Sequence, residues 1–235
     1  MNKETSLPLA IKQYLIITGN YWAFTLTDGA LRMLVVLHFH QLGFAPLAIA
    51  MLFLFYEFFG VVTNLIGGWL GAKIGLNKTM HIGLFLQVFA LLMLTVPDAY
   101  LSIVWVMAAQ ALSGIAKDLN KMSAKSSIKS LLPPEEKVGL FKWVALLTGS
   151  KNALKGVGFF LGALLLTTLG FKIAVLSMAF TLFFVAILSL LLLKGDIGKS
   201  KNKAKFTAIF SKSAPLNYLS AARLCLFAAR DVWFV

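Results

Sequence analysis

The sequence predicts an all-α bundle of membrane-spanning helices, and three observations carry that prediction. The chain of 235 residues is 59% hydrophobic and 13% charged, with a mean hydropathy of +0.84. A soluble domain carries about a quarter charged residues, so this chain cannot clothe a water-facing surface of its size. Its apolar residues also fall into runs of about twenty, the length a helix needs to cross the hydrocarbon. Finally, those runs are apolar on all sides. They lack both the polar face of a soluble amphipathic bundle and the period-two alternation of a membrane β-barrel.

The runs cover residues 14–39, 46–71, 79–96, 100–121, 141–169 and 171–193. A seventh begins near Pro215 and is still apolar at Val235, so a longer natural chain is expected. The polar start, Met1 to Lys12, has no short apolar core followed by a small-residue cleavage site, so a cleavable leader is not expected. Lysine placement orients the spans. Lys3 and Lys12 precede the first, and Lys73 and Lys78 separate the second from the third. Five lysines lie from Lys121 to Lys142, and six from Lys194 to Lys212. The opposite turns, 41–45 and 97–99, carry none, and 170–172 carries one. By the positive-inside rule the N-terminus and every basic segment are cytoplasmic. The domain reading follows: a six-helix bundle over 1–193, a basic cytoplasmic linker over 194–214, and the start of a second bundle over 215–235.

Other classes are set aside on chemical grounds. The net charge of +13 is spread through short connectors, with no basic face interleaved with aromatics for nucleic acid. The one cysteine, Cys225, allows neither a disulfide framework nor a cysteine-based zinc site. His38 and His40 are two apart, off a common helix face, so no metal site is expected. The linker run from Gly195 to Ser200 lacks the first glycine of a phosphate loop, where Leu193 stands, and no strand leads into it. No nucleophile, base or metal set converges at one depth, so no enzyme and no cofactor is expected. Tyr14 and Tyr100 sit at span ends, where an aromatic belt belongs. Gly67, Gly71 and Gly75, and likewise Gly158 and Gly162, recur every fourth residue as faces for close helix contact.

Charges inside the spans are the functional signal, because an ionisable group in hydrocarbon costs at least about 2.5–3.5 kcal/mol and usually faces the bundle interior or a wet cavity. Asp28 and Arg32 lie one turn apart on the first span and share a face. Glu57 sits in the second, and Lys117, Asp118 and Asn120 in the fourth. Lys151 and Lys155 lie one turn apart in the fifth, and Arg223, Arg230 and Asp231 mark the seventh. Lys151 and Lys155 have no acid in their own helix, and two like charges a turn apart repel unless an anion lies between them. The expected substrate site is therefore Arg32, Lys117, Lys151, Lys155 and Asn120, with Asp28, Glu57 and Asp118 in proton coupling or gating. The alternative for Asp28 and Arg32 is an ion pair that holds helices in register. Lys117 could instead snorkel to the interface.

The turn from Gly68 to Lys78, Gly-Trp-Leu-Gly-Ala-Lys-Ile-Gly-Leu-Asn-Lys, resembles the glycine-rich basic signature between helices 2 and 3 of the major facilitator superfamily. It departs from that signature at Ala72, where the family has an acid, and at Leu76 and Asn77, where it has a basic pair. Three longer strings, 19–32, 113–125 and 149–156, resemble the organoarsenical efflux permeases of arsenic-resistance operons. That resemblance implies a bacterial inner-membrane protein of twelve spans, monomeric at full length, that exports 1-arseno-3-phosphoglycerate. The sequence is thus read as half of a secondary transporter for a phosphorylated organic anion, working by alternating access. A proton-coupled exporter of another drug or metabolite, or a non-transporting membrane subunit, is the alternative.

Overall fold

The computed structural model describes residues 7–131, 137–193, 195, 197–199 and 213–232, without the side chains of 7–10, 98, 137–140, 223, 224 and 227–232. Among the described residues the regular structure is helical, in the order α1 (Leu7–Gln41), α2 (Pro46–Leu52), α3 (Leu54–Ile74), α4 (Leu76–Met93), α5 (Ile103–Leu131), α6 (Lys137–Leu169), α7 (Phe171–Leu192) and α8 (Ala214–Val232). A short 3₁₀ helix, Asp98–Tyr100, precedes α5.

Four stretches are long and apolar enough to cross a membrane: Pro46–Ile74, Leu76–Met93, Phe141–Leu169 and Phe171–Leu192. They correspond to the second, third, fifth and sixth predicted spans. The helices α1 and α5 have 35 and 29 residues, ample length for a crossing, but are not among the four. Each carries a stripe of polar side chains that lowers its apolar average, and much of that stripe is buried against neighbouring helices.

The second predicted span is not one rod. It breaks at Phe53 (φ −93°, ψ −4°), whose amide bonds to the Ala50 carbonyl three residues back, the tight geometry of a 3₁₀ turn. Glu57 therefore lies in the first turn of α3, directly after the break, rather than midway along an unbroken helix.

The packing follows the glycines. The helices α1 and α6 form the most extensive contact and run parallel in steady register. Tyr14 meets Trp143 edge-on at 4.4 Å, and the Trp22 indole donates to Ser150 at 2.8 Å. Further along, a Cβ on Gly158 would fall 2.6 Å from the Leu26 carbonyl oxygen. Gly162 lies as tightly against Ala30, so the expected small-residue face is there, and it docks on α1. Tyr14 accordingly packs between helices, only 6% exposed, instead of standing in an interfacial belt. Gly67 and Gly71 face Met122 of α5, again as helix-contact positions. Gly75 is different. Its φ of 100° ends α3 and starts α4, a backbone turn that a side chain would strain.

The contact order also has a two-fold pattern. Taking α2 and α3 as one span, the first span packs on the fifth (α1 on α6) and the fourth on the second (α5 on α3). The pairs α1 with α7 and α5 with α4 complete the pattern, as expected of two three-span repeats facing each other. The surfaces of α3, α6 and α7 carry large exposed apolar groups such as Phe58, Leu65, Phe160, Phe180 and Leu191, fit for lipid.

The start of the expected linker docks on this bundle. The Leu76 amide donates to the Ile197 carbonyl at 2.8 Å, and the Asn77 side chain donates to the Gly195 carbonyl at 2.9 Å. Most of the linker, and the side chains of Arg223, Arg230 and Asp231, lie outside the described residues.

Candidate functional site

The site is built where α3 crosses α5 beside α1. Gly114 of α5 has no side chain at the point where the Tyr56 carbonyl of α3 comes closest, and one turn on Gly60 leaves room for the Asp118 carboxylate. This close crossing drives Tyr56 completely inside. Its hydroxyl donates to Asp28 Oδ1 of α1 at 2.6 Å. Its ring is flanked by two cations: the Arg32 guanidinium at 4.2 Å from the ring centroid and Lys117 Nζ at 4.0 Å. Cations seek the negative face of an aromatic ring, most strongly where water is scarce.

Ion pairs connect the rest. Arg32 pairs with Glu57 at 2.5 Å, and Lys117 reaches the other oxygen of Glu57 at 3.4 Å. Lys117 also lies 4.0 Å from Asp118, which Lys121 engages at 3.1 Å. Three helices thus bring together three acids (Asp28, Glu57, Asp118) and three bases (Arg32, Lys117, Lys121). Glu57 is the open edge of the cluster, its side chain 58% exposed, and Asp118 is the buried end at 5%. Arg32 takes Glu57 as its ion-pair partner instead of Asp28, whose Oδ1 is occupied by Tyr56. The shared face on α1 is real, but its two charges bond to different residues of α3. Lys117 extends toward α3 and does not snorkel.

Lys151 and Lys155 stand on α6, on the other flank of α1. The Lys155 backbone touches α1 at Gly29, where a Cβ would lie 2.9 Å from the Lys155 carbonyl oxygen. Its ammonium lies 5.6 Å from the Phe159 ring centroid and within electrostatic reach of Arg32, Asp28, Lys117 and Glu57. Lys151, one turn away, senses Lys155, Lys117, Lys121 and Lys125. Neither has an acid within 4.0 Å among the described residues. Asn120 departs from expectation. It is fully buried, its backbone set against Gly83 of α4, so it lies inside the half and off the charged cleft.

Tyr56 is the residue that sequence reasoning missed. A tyrosine beside an acid in the middle of an apolar run, away from the span ends that this side chain favours, is the only trace of it. A second polar junction also went unseen. Asn20 of α1 donates to Ser189 Oγ of α7 at 2.6 Å, and His81 Nε2 of α4 meets the same hydroxyl at 2.8 Å. His38 stacks on Phe171 with ring centroids 4.0 Å apart, a packing role. Among the described residues no group of three or more His, Cys, Asp or Glu is placed to hold a metal ion.

Comparisons with known proteins agree with this architecture. The sequence profile of the Major Facilitator Superfamily matches residues 15–234. Comparison with curated proteins gives no match. Among solved structures, a peptide transporter POT variant in complex with alafosfalin is 14% identical, with a TM-score of 0.66 over 94% of this chain and 46% of that one. A POT family transporter in complex with 5-aminolevulinic acid is 15% identical, with a TM-score of 0.64 over 95% of this chain and 46% of that one. This chain therefore spans about half the length of these structures, and at such identity the likeness speaks for the fold alone. With the profile covering nearly all of its residues, and helices long and apolar enough to span a membrane, the chain belongs to the major facilitator superfamily.

Proposed function

We propose that this chain forms the N-terminal half of a secondary transporter that exports a phosphorylated organic anion by alternating access. The organoarsenical ester 1-arseno-3-phosphoglycerate is the substrate that the sequence resemblance favours. One observation carries the anion reading. The six clustered charges contributed by α1, α3 and α5 (Asp28, Arg32, Glu57, Lys117, Asp118 and Lys121) balance, and Lys151 and Lys155 remain on α6 as a surplus beside them. A multiply charged oxyanion supplies the missing negative charge, and the fork of Arg32 matches its oxygens. Asp28 and Glu57 are the acids through which exchanged protons would pass. The basic connectors favour a cytoplasmic N-terminus by the positive-inside rule, and the sequence resemblance implies a bacterial inner membrane.

The full-length protein in liposomes, assayed for efflux of phosphorylated organic anions against cationic drugs, tests the substrate class. Lys155→Ala and Lys151→Ala are each expected to lower anion efflux about tenfold or more, as the loss of a buried charge partner does. They should equally lower resistance in arsenate-challenged cells. Unchanged efflux and resistance at normal expression would overturn the anion reading. Transport that still follows the pH gradient after Asp28→Asn with Glu57→Gln would remove the proton-exchange part.

A further inference from the structure

Among the buried side chains whose polar ends make no close hydrogen bond within the described residues are the hydroxyl of Tyr21 on α1, and the amides of Gln87 on α4 and of Gln110 and Asn120 on α5. Tyr21 is 2% exposed and the three amides are wholly buried. Buried serines and threonines in a helix can bond their own preceding turn, as Thr25 and Thr79 do here. The Tyr21 phenol has only the Thr25 hydroxyl, one turn on, within reach on its own helix, and an amide offers two donors and two acceptor sites to satisfy. Groups of this kind inside native proteins are bonded, to protein or to ordered water.

The four also lie along one path. Gly83 sits against Ala116 and Asn120, which fixes the register of α4 on α5, and places Gln87, one turn further along α4, between the levels of Gln110 and Asn120. Tyr21 lies two turns before Asp28 on α1 and within electrostatic reach of both Asp28 and Asp118. From Gln110 to Asn120 the path covers about 15 Å of helix and passes Lys117. Ser113 lies within this stretch, and Ser123 and Ser127, buried on the same helix with unpartnered hydroxyls, continue it toward the end of α5 at Leu131.

We propose that α1, α4 and α5 enclose a file of bound water that runs from Gln110 past Gln87 and Lys117 to Asn120 and Tyr21. The file hydrates the charged cluster from within the half, by a route separate from the cleft that Glu57 faces. It gives Asp28 a link to solvent at the basic end of the bundle, and its existence does not depend on which substrate is carried.

The test is radiolytic hydroxyl labelling in ¹⁸O-water, with the full-length protein in lipid nanodiscs and water itself as the probe. Tyr21 is expected to label about tenfold faster than Met178, a buried residue of α7 in the apolar core, because labelling of buried groups needs bound water nearby. Asn120→Leu and Gln87→Leu should each slow labelling of Tyr21 several-fold, with Met178 unchanged. Tyr21 labelling no faster than Met178 in the native protein would overturn the proposal. So would a rise in melting temperature in both leucine variants, since removing an unbonded buried amide relieves a penalty and removing a hydrated one does not. The readout needs no transport, so failure here and failure of the anion reading are separable.

Discussion

Replacing Tyr56 by phenylalanine removes one oxygen from the centre of the charged cluster and leaves the ring in place. In the structure that oxygen donates to Asp28 Oδ1 at 2.6 Å from a residue with no solvent exposure. The Arg32 and Lys117 contacts are to the ring, 4.2 and 4.0 Å from its centroid, and a phenylalanine ring retains them. The change is thus confined to a hydrogen bond onto a buried carboxylate. Bonds to charged groups contribute about 1.5–3 kcal/mol, and an acceptor left unbonded adds its desolvation penalty. A loss of about 2 kcal/mol in unfolding free energy is expected, measured by reversible denaturation of the full-length protein in micelles. The decisive form is a double-mutant cycle with Asp28→Asn. If the two groups act through this bond, the effects fall short of additive by more than about 0.5 kcal/mol. Additive effects would refute the reasoning and leave Tyr56 as an apolar spacer.

Two further substitutions probe the frame around the site. Gly158→Ala sets a methyl 2.6 Å from the Leu26 carbonyl oxygen and 3.1 Å from Gly29 Cα, so α6 must move off α1. A destabilisation of about 1–3 kcal/mol by the same denaturation assay is expected, with greater loss for Gly158→Leu. Asn77→Ala removes the side-chain bond that fixes the Gly195 carbonyl beneath the start of α4. Limited proteolysis at Lys199 is expected to quicken several-fold while the helices stay protected, because local opening sets such cleavage.

How much of this was legible in the sequence depends on the kind of interaction. The spans were legible because the bilayer imposes one length and one polarity on every crossing. Gly158 and Gly162 were legible as a contact face, because their four-residue spacing places both on one side of α6 whatever the partner. The partner itself was not: α1 lies more than a hundred residues away in sequence, and nothing local selects it. Asp28, Arg32, Glu57 and Lys117 stood out because charge in an apolar run is rare and costly. Which of them would pair could not be read. Asp28 and Arg32 are neighbours on α1, yet the break at Phe53 turns the start of α3 so that Tyr56 meets one and Glu57 the other. Tyr56 stayed hidden for the same reason, since its role exists only where three helices converge. Thr18, Tyr21, Thr25, Asp28 and Arg32, spaced three and four apart, form a polar stripe on α1 that period counting could have found. Attention to charged residues alone passed over its neutral members.

The sharing of Glu57 bears on how such a site could work. One carboxylate faces two cations, Arg32 of α1 and Lys117 of α5, and it is the most exposed member of the cluster. An anion that approached Arg32 from the cleft would compete with Glu57 for the same guanidinium, and a displaced Glu57 would still have Lys117 within reach. On the anion reading, binding would then exchange one partner of Arg32 for another without leaving a bare charge in the bundle, which avoids the cost that makes isolated intramembrane charges rare. The exchange would also loosen the tie between α1 and α3 while keeping the tie between α3 and α5. Lys151 and Lys155 fit the same scheme from α6, the helix packed most closely on α1. Their surplus charge would draw the anion to the flank of α1, where Arg32 can turn toward it. On the anion reading, a cluster whose own six charges balance leaves no bare charge to lock the empty half in one conformation, and alternating access needs conformations of comparable energy to cycle between.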